Sequence, residues 1–227
     1  MNAPRDAVPA PRGGAHAPRE LAVRRLGLVP YADAHRLQQE LLVERLEGRI
    51  PDTLLLTEHD AVVTLGRGST PDEAKDVELP VFTIERGGEA TFHGPGQLVG
   101  YPILLLDEDR RDLHVYLRSL EEVVIATLAE LGLAGTRVAG FTGVWIEGKK
   151  VCSVGVAVRR WVTWHGFALN VDVDLDGFRR FRPCGLDANV MARLTDWIPG
   201  LTVAALEPRI EAQFRRVFGY AARSSAQ

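Results

Sequence analysis

Apolar and polar positions alternate along this chain in short blocks whose period changes repeatedly. Leu21 to Leu28 reads as a short strand. From Ala32 to Glu47, Leu37, Leu41, Leu42 and Leu46 recur at helical spacing, and Gly48 is placed to end that helix. Strands are predicted over Thr53 to Glu58, Ala61 to Leu65, Val81 to Ile84 and Gln97 to Leu106. The longest predicted helix covers Leu113 to Leu131. Its stripe is Val115, Leu120, Val123, Val124, Leu128 and Leu131, with Asp112 as N-cap and Gly132 as stop. Gly143 to Ile146 and Lys150 to Val158 predict a hairpin across Glu147-Gly148, and Thr163 to Val173 predicts another strand. A short helix is expected after Cys184. A last helix is expected over Glu207 to Phe218, with Pro208 in its first turn.

Strands outnumber helices and several form adjacent hairpins. The expected class is α/β of the α+β type: a mixed, largely antiparallel sheet with helices on one side, not a strict βαβ wind. Residues 1–18 are rich in Pro, Ala and Gly and read as a disordered tail. Arg5 and Arg12 raise the idea of a transit peptide, but the prolines break any amphipathic helix there. Residues 19–222 are expected to form a single catalytic domain, with 223–227 a second tail.

Composition narrows the function classes. Of 227 residues, 46% are apolar and 25% charged, with a formal net charge of -3. That balance supports a sizeable core and, with no basic run, gives no reason to expect nucleic acid as a partner. No stretch approaches the roughly 18 apolar residues of a membrane helix, so no membrane partner is expected either. The two cysteines, Cys152 and Cys184, follow no signal-peptide pattern. Free thiols in a reducing cytoplasm are expected. There is no CxxC, no HExxH and no close His/Cys cluster along the sequence, so no metal is expected.

Four segments carry candidate chemistry. Arg86 to Gln97 sets four glycines and a proline around Arg86 and His93. Such a segment can bring backbone N–H groups close to a ligand, or be two turns flanking a short strand. Lys150 opens the alternating stretch Val151-Cys152-Ser153-Val154-Gly155, either as a functional ammonium or as the solvated end of a hairpin. Cys152 in that strand reads as a small buried hydrophobe. His165 stands before Gly166-Phe167-Ala168-Leu169-Asn170 and could equally be a core histidine. Cys184 lies between Pro183 and Gly185, ahead of the short helix, where a helix N-terminus and a neighbouring ammonium would favour thiolate. That is the setting of a nucleophile.

Taken together, these segments resemble the lipoyl(octanoyl) transferase family. The resemblance runs from about Leu54 to Leu194. It includes Glu58-His59, Thr64 to Arg67, the RGG to HGPGQLV to YP stretch, Lys150 to Gly155, His165 to Asn170, and Pro183-Cys184-Gly185. It implies a fold like the catalytic domain of biotin and lipoate ligases. It implies transfer of an octanoyl group from octanoyl-acyl carrier protein to a lysine of lipoyl domains. These belong to α-keto acid dehydrogenase complexes and the glycine-cleavage carrier protein. Cys184 would carry the acyl thioester and Lys150 would lower its pKa. Substrate contacts would come from Arg86, Gly87, Gly88, Glu89, Ala90, Thr91, Phe92 and His93, from Ser153, Val154 and Gly155, and from Gly166, Phe167 and Ala168. His165 and Arg67 would be accessory. No cofactor is implied, and a monomer is expected. Cys152 stands where the family strand usually has alanine, and Leu186 to Leu194 follow a more variable part of the pattern.

Three other functions fit parts of the pattern. An ATP-dependent lipoate or biotin ligase would share the fold but need no cysteine nucleophile. A non-catalytic binder of acylated carrier proteins would leave Cys184 unreactive. A thioesterase would release octanoate without an acceptor. Arg159, Arg160, Arg179, Arg180 and Arg182 are candidates for docking an acidic carrier protein, or ordinary exposed arginines.

Overall fold

A computed structural model describes residues 19–75, 77–180 and 188–222. The expected tails at 1–18 and 223–227, and Arg182 to Asp187 with Cys184 and the start of its expected helix, lie outside the described residues.

Among the described residues, nine strands and three α-helices follow in chain order: β1 (Leu21–Leu28), α1 (Tyr31–Leu46), β2 (Asp52–Glu58), β3 (Val62–Leu65), β4 (Val81–Thr83), β5 (Thr91–His93), β6 (Gln97–Ile103), α2 (Leu113–Glu130), β7 (Gly143–Ile146), β8 (Lys149–Arg159), β9 (Val162–Asn170) and α3 (Val203–Phe218). Six strands form the large sheet in the order β1-β2-β6-β9-β8-β7, and β4-β3-β5 form a small one. Two pairings are parallel, β1 with β2 and β3 with β4; the other pairings in the two sheets are antiparallel. The expected mixed, largely antiparallel architecture is what forms.

The helices do not share one side of the sheet, contrary to the expectation above. α1 buries Ala34, Leu41 and Leu42 against Leu55, Val99, Tyr101 and Ala168. α2 and α3 cover the other face, where Leu120, Val124, Leu206 and Phe214 meet Leu54, Leu56, Leu98 and Leu169. The uninterrupted run Leu54-Leu55-Leu56, buried throughout, is the signature of a strand covered on both faces. A third cluster under the small sheet joins Val63, Leu65, Ala90 and Phe92 to Val173, Phe178 and Met191.

Local chemistry explains most boundaries. The Asp112 carboxylate accepts from the N–H groups of His114 and Val115 at 2.8 and 3.1 Å, capping α2. The β7–β8 turn places Glu147 and Gly148 at φ 50° and 77°, the pair of positive φ values that a two-residue hairpin requires. The β8–β9 turn does the same with Arg160 and Trp161, at 48° and 66°. α3 begins at Val203, capped by the Thr202 hydroxyl, four residues before the expected start. Pro208 therefore lies inside the helix and not in its first turn. The apolar residues Val203, Leu206, Ile210 and Phe214 carry the helix through it.

Candidate active site

A cavity of about 250 Å³ opens between the small sheet and the β6, β9 and β8 end of the large one. Its walls come from Tyr31 of α1, the 84–91 segment, Val99 and Tyr101 of β6, residues 140–142, and stretches of β8 and β9.

Lys150 reaches this cavity because of a register break. Val144 pairs with Cys152 but Trp145 pairs with Lys150, so β8 carries one extra residue, Val151. Such a bulge re-aims the neighbouring side chain. Val151 and Cys152 both enter the core shared with α2 and α3. Lys150 is left lining the cavity with Ser153 and Gly155. The lysine is 2% exposed, and its Nζ lies 5.1 Å from the centroid of the Trp145 ring. The Nζ thus stands over the indole face in cation–π geometry. Lys150 is not the solvated end of a hairpin; Lys149, exposed beside it, is. Cys152 is fully buried, and burial pushes its thiol far up despite the nearby Lys150. It is chemically quiet.

The strand alternation of β5 sorts the predicted loop. Thr91 and His93 line the cavity, while Ala90 and Phe92 turn into the third core cluster. Arg86, Gly87, Gly88 and Glu89 line it too, as do Val154, Gly166, Phe167, Ala168 and His165. The Arg67 side chain is exposed outside the cavity, and its N–H donates to the Arg86 carbonyl at 3.0 Å.

Arg86 holds the loop together from inside. Its guanidinium donates to the carbonyls of Gly87, Glu89 and Thr64 at 3.2, 2.7 and 2.9 Å, and to the Thr64 hydroxyl at 2.9 Å. The loop lies so close to β3 that a Cβ on Gly66 would stand 2.3 Å from the Gly88 carbonyl oxygen. The Gly87 N–H donates to Val156 of β8 at 3.0 Å, fixing the loop over the sheet.

From Arg86 a chain of buried polar groups runs across the site. Thr64, which accepts from Arg86, sits 3.4 Å from His93 Nε2. The Gln97 amide N–H₂ donates to Asn170 Oδ1 and to the Phe92 carbonyl, so its oxygen faces His93, and His93 Nδ1–H donates to it at 2.7 Å. Asn170 Nδ2 then donates to the Ala192 carbonyl at 2.9 Å, and the Ala192 N–H donates to the Lys150 carbonyl at 3.0 Å. Met191 bridges to Lys150 in parallel fashion. The chain thus runs directly beside Lys150 shortly after Cys184.

Both cavity histidines are neutral over the physiological range. Burial pushes His93 down to about 3, helped by the nearby His59 and Arg86. Burial likewise pushes His165 down to about 3, helped by His35 and Arg86. His59 donates from Nδ1 to the Val29 carbonyl at 2.9 Å, so its Nε2 accepts from the Tyr101 hydroxyl at 2.8 Å. Tyr31 and Tyr101 were missed by the sequence reading. Tyr31 belongs to no motif, whereas Tyr101 stands in the quoted YP stretch and could have been named from it.

The family model for the lipoyl protein ligase A/B catalytic domain matches residues 30–215. The chain belongs to that family. Curated relatives named octanoyltransferase are similar along most of its length. That of Nostoc punctiforme is 51% identical over 198 residues, covering 85% of this chain and 86% of the relative. That of Gloeobacter violaceus is 51% identical over 199 residues, covering 85% and 88%. By this kinship the chain is an enzyme of the acyltransferase class. Among solved structures, a putative lipoate protein ligase from T. acidophilum with bound lipoic acid superposes with a TM-score of 0.72 at 19% identity, covering 90% of this chain and 88% of that one. A biotin protein ligase from Aquifex aeolicus in complex with biotin gives 0.51 at 15% identity, covering 87% and 70%. These two share the fold. Among the described residues, no helix is long and apolar enough to cross a membrane.

Proposed function

We propose that this enzyme transfers an octanoyl group from octanoyl-acyl carrier protein to a lysine of lipoyl domains, through a thioester on Cys184. The observation that carries the reading is the buried Lys150 ammonium aimed into a small cavity, with Met191 alongside it just after the Cys184 segment. The relatives named octanoyltransferase supply the acyl group.

The Cys184 thiolate, paired with the Lys150 ammonium, attacks the thioester carbonyl of the donor. The carbon–sulfur bond of the donor breaks, and the pantetheine thiolate leaves with a proton from Lys150. The cavity, at about 250 Å³, falls below the ~300–1,000 Å³ of drug-sized sites and suits a short acyl chain. Val99, Phe167 and Ala168 give it apolar wall. The acceptor lysine then attacks the acyl-enzyme and must lose a proton. His93 and His165 are poor bases for that step, since imidazoles that stay neutral down to about pH 3 hold a proton too weakly. Lys150, neutral after the first half-reaction, is the base. Acceptors are the lipoyl domains of α-keto acid dehydrogenase complexes and the glycine-cleavage carrier protein, and the enzyme works as a cytoplasmic monomer.

The test is an intact-mass measurement after mixing enzyme with octanoyl-carrier protein. One octanoyl group should be gained, lost again to hydroxylamine, and absent in Cys184→Ser. Transfer that needs free octanoate and ATP would instead assign a ligase.

A further inference from the structure

Three residues that lie far apart in the sequence meet at the rim of the cavity. His35 comes from α1, Glu85 follows β4, and His165 belongs to β9. His35 Nε2 lies 3.4 Å from Glu85 Oε2, and His165 Nε2 lies 3.7 Å from the same oxygen. One ligand atom from each of the three falls within 4.8 Å of the others. The sequence showed no close cluster of ligating residues; the fold makes one.

An ion pair between His35 and Glu85 would account for two of the three. It does not account for His165. That ring is 2% exposed, and its Nε2 has no hydrogen-bond partner among the described residues. A buried polar nitrogen left unpaired is unfavourable, so it calls for a reason. The backbone is also constrained here. His165 adopts φ 55° inside a strand, a left-handed conformation uncommon for a residue with a side chain. The conformation is held by the buried Gln38, whose side-chain oxygen accepts from the His165 N–H at 3.0 Å. Trp164 stacks on both rings, at 4.3 Å from His165 and 5.7 Å from His35. The ring is therefore fixed with a bare lone pair or N–H aimed at Glu85 and His35.

We infer that His35, Glu85 and His165 form a binding site for a divalent first-row transition ion, of which zinc is the natural probe. Two imidazole nitrogens and one carboxylate are the donor set of three-ligand transition-metal sites, whereas calcium and magnesium require oxygen ligands. Zinc bonds to nitrogen and oxygen at about 2.0–2.2 Å, so a small inward movement of the three side chains closes the triangle on an ion. The Glu85 side chain is 45% exposed, which leaves an entry path and a solvent-facing fourth position. A bound ion would tie α1, the segment after β4 and β9 together and fix the His165 ring in the cavity wall. This inference does not depend on the route of acyl transfer.

The experiment uses the untagged full chain carrying Cys184→Ser, which removes that thiol as a competing ligand. Zinc titration followed by calorimetry should give one saturable equivalent with micromolar or tighter affinity. Cobalt should give visible d–d bands without a thiolate charge-transfer band. Zinc should also raise the unfolding midpoint. His35→Ala and Glu85→Gln should each weaken zinc at least tenfold, and Glu85→Gln, at a half-exposed position, keeps the fold intact. Absence of saturable binding would overturn the inference, as would an affinity unchanged in both variants or a thiolate band in the cobalt spectrum.

Discussion

Gln97 fixes the tautomer of His93: its amide nitrogen is committed to Asn170 and the Phe92 carbonyl, so its oxygen must accept from His93 Nδ1–H, at 2.7 Å. That bond leaves Nε2 turned to Thr64, while burial, against the pull of the Gln97 bond, keeps the ring neutral. It exchanges no protons near neutral pH.

That neutrality has a measurable cost in acid. In the unfolded chain, His93 and His165 take up protons near pH 6.5, but in the folded chain only near pH 3. Between those values the unfolded state binds more protons. Stability is therefore full above about pH 6.5 and falls as pH drops, by up to about 1.4 kcal/mol per pH unit for each histidine. Urea unfolding at pH 7.5, 6 and 5 should show this decline, and His93→Gln should make it shallower by about one proton. An unchanged slope in the variant would show that His93 is not held neutral.

Lys150 and Cys184 should be mutually dependent. Lys150→Ala or Cys184→Ser should each lower octanoyl transfer by several orders of magnitude, and the double variant should be little worse than either. Cys152→Ala should keep most activity. Iodoacetamide applied to the folded enzyme should label Cys184 and leave Cys152 untouched until denaturant is added, as peptide mapping would reveal.

Asn170 connects the polar chain to Ala192. Asn170→Ala strands the Ala192 carbonyl and the Gln97 amide, at a cost of roughly 1–3 kcal/mol for each buried group left unpaired. Because Ala192 is also bonded to the Lys150 carbonyl, kcat should drop at least tenfold. Near-normal kcat in a folded Asn170→Ala protein would remove this connection from the mechanism.

Gly100 lies directly against the Phe167 ring. A Cβ there would stand 2.3 Å from the Phe167 ring. Gly100→Ala should displace the Phe167 ring, destabilise the protein by about 1–3 kcal/mol and, because Phe167 contributes to the cavity wall, alter the preference for octanoyl over shorter acyl donors. A comparison of kcat/KM for butanoyl and octanoyl donors measures the change.

The sequence made legible what rests on local chemistry. The Asp112 cap and the Glu147-Gly148 turn each follow from a residue with one strong local preference. The Arg160-Trp161 turn was not legible, because neither residue favours positive φ and the pairing of β8 with β9 imposes it. Helices on both faces went unread although Leu54-Leu55-Leu56 signalled it. Pro208 misled because the Val203–Phe214 stripe outweighs its missing N–H. The motifs located the cavity walls, but alternation along β5 removed Ala90 and Phe92 from them. The facing of Lys150 depends on pairing with β7, which lies outside its own strand's pattern. The meeting of His35, Glu85 and His165 depends on three elements at once.

The extra residue at Val151 also separates two things that strand hairpins usually couple. Insertions at the Glu147-Gly148 tip lengthen the hairpin without altering which way any side chain points. Straightening the strand without losing a residue would turn Lys150 into the core and take its side chain out of the cavity, whereas deleting Val151 alone would leave Lys150 facing as it does. Descendants of this chain are thus free to vary the tip's length, whereas a substitution that irons out the bulge while keeping every residue costs the cavity its lysine.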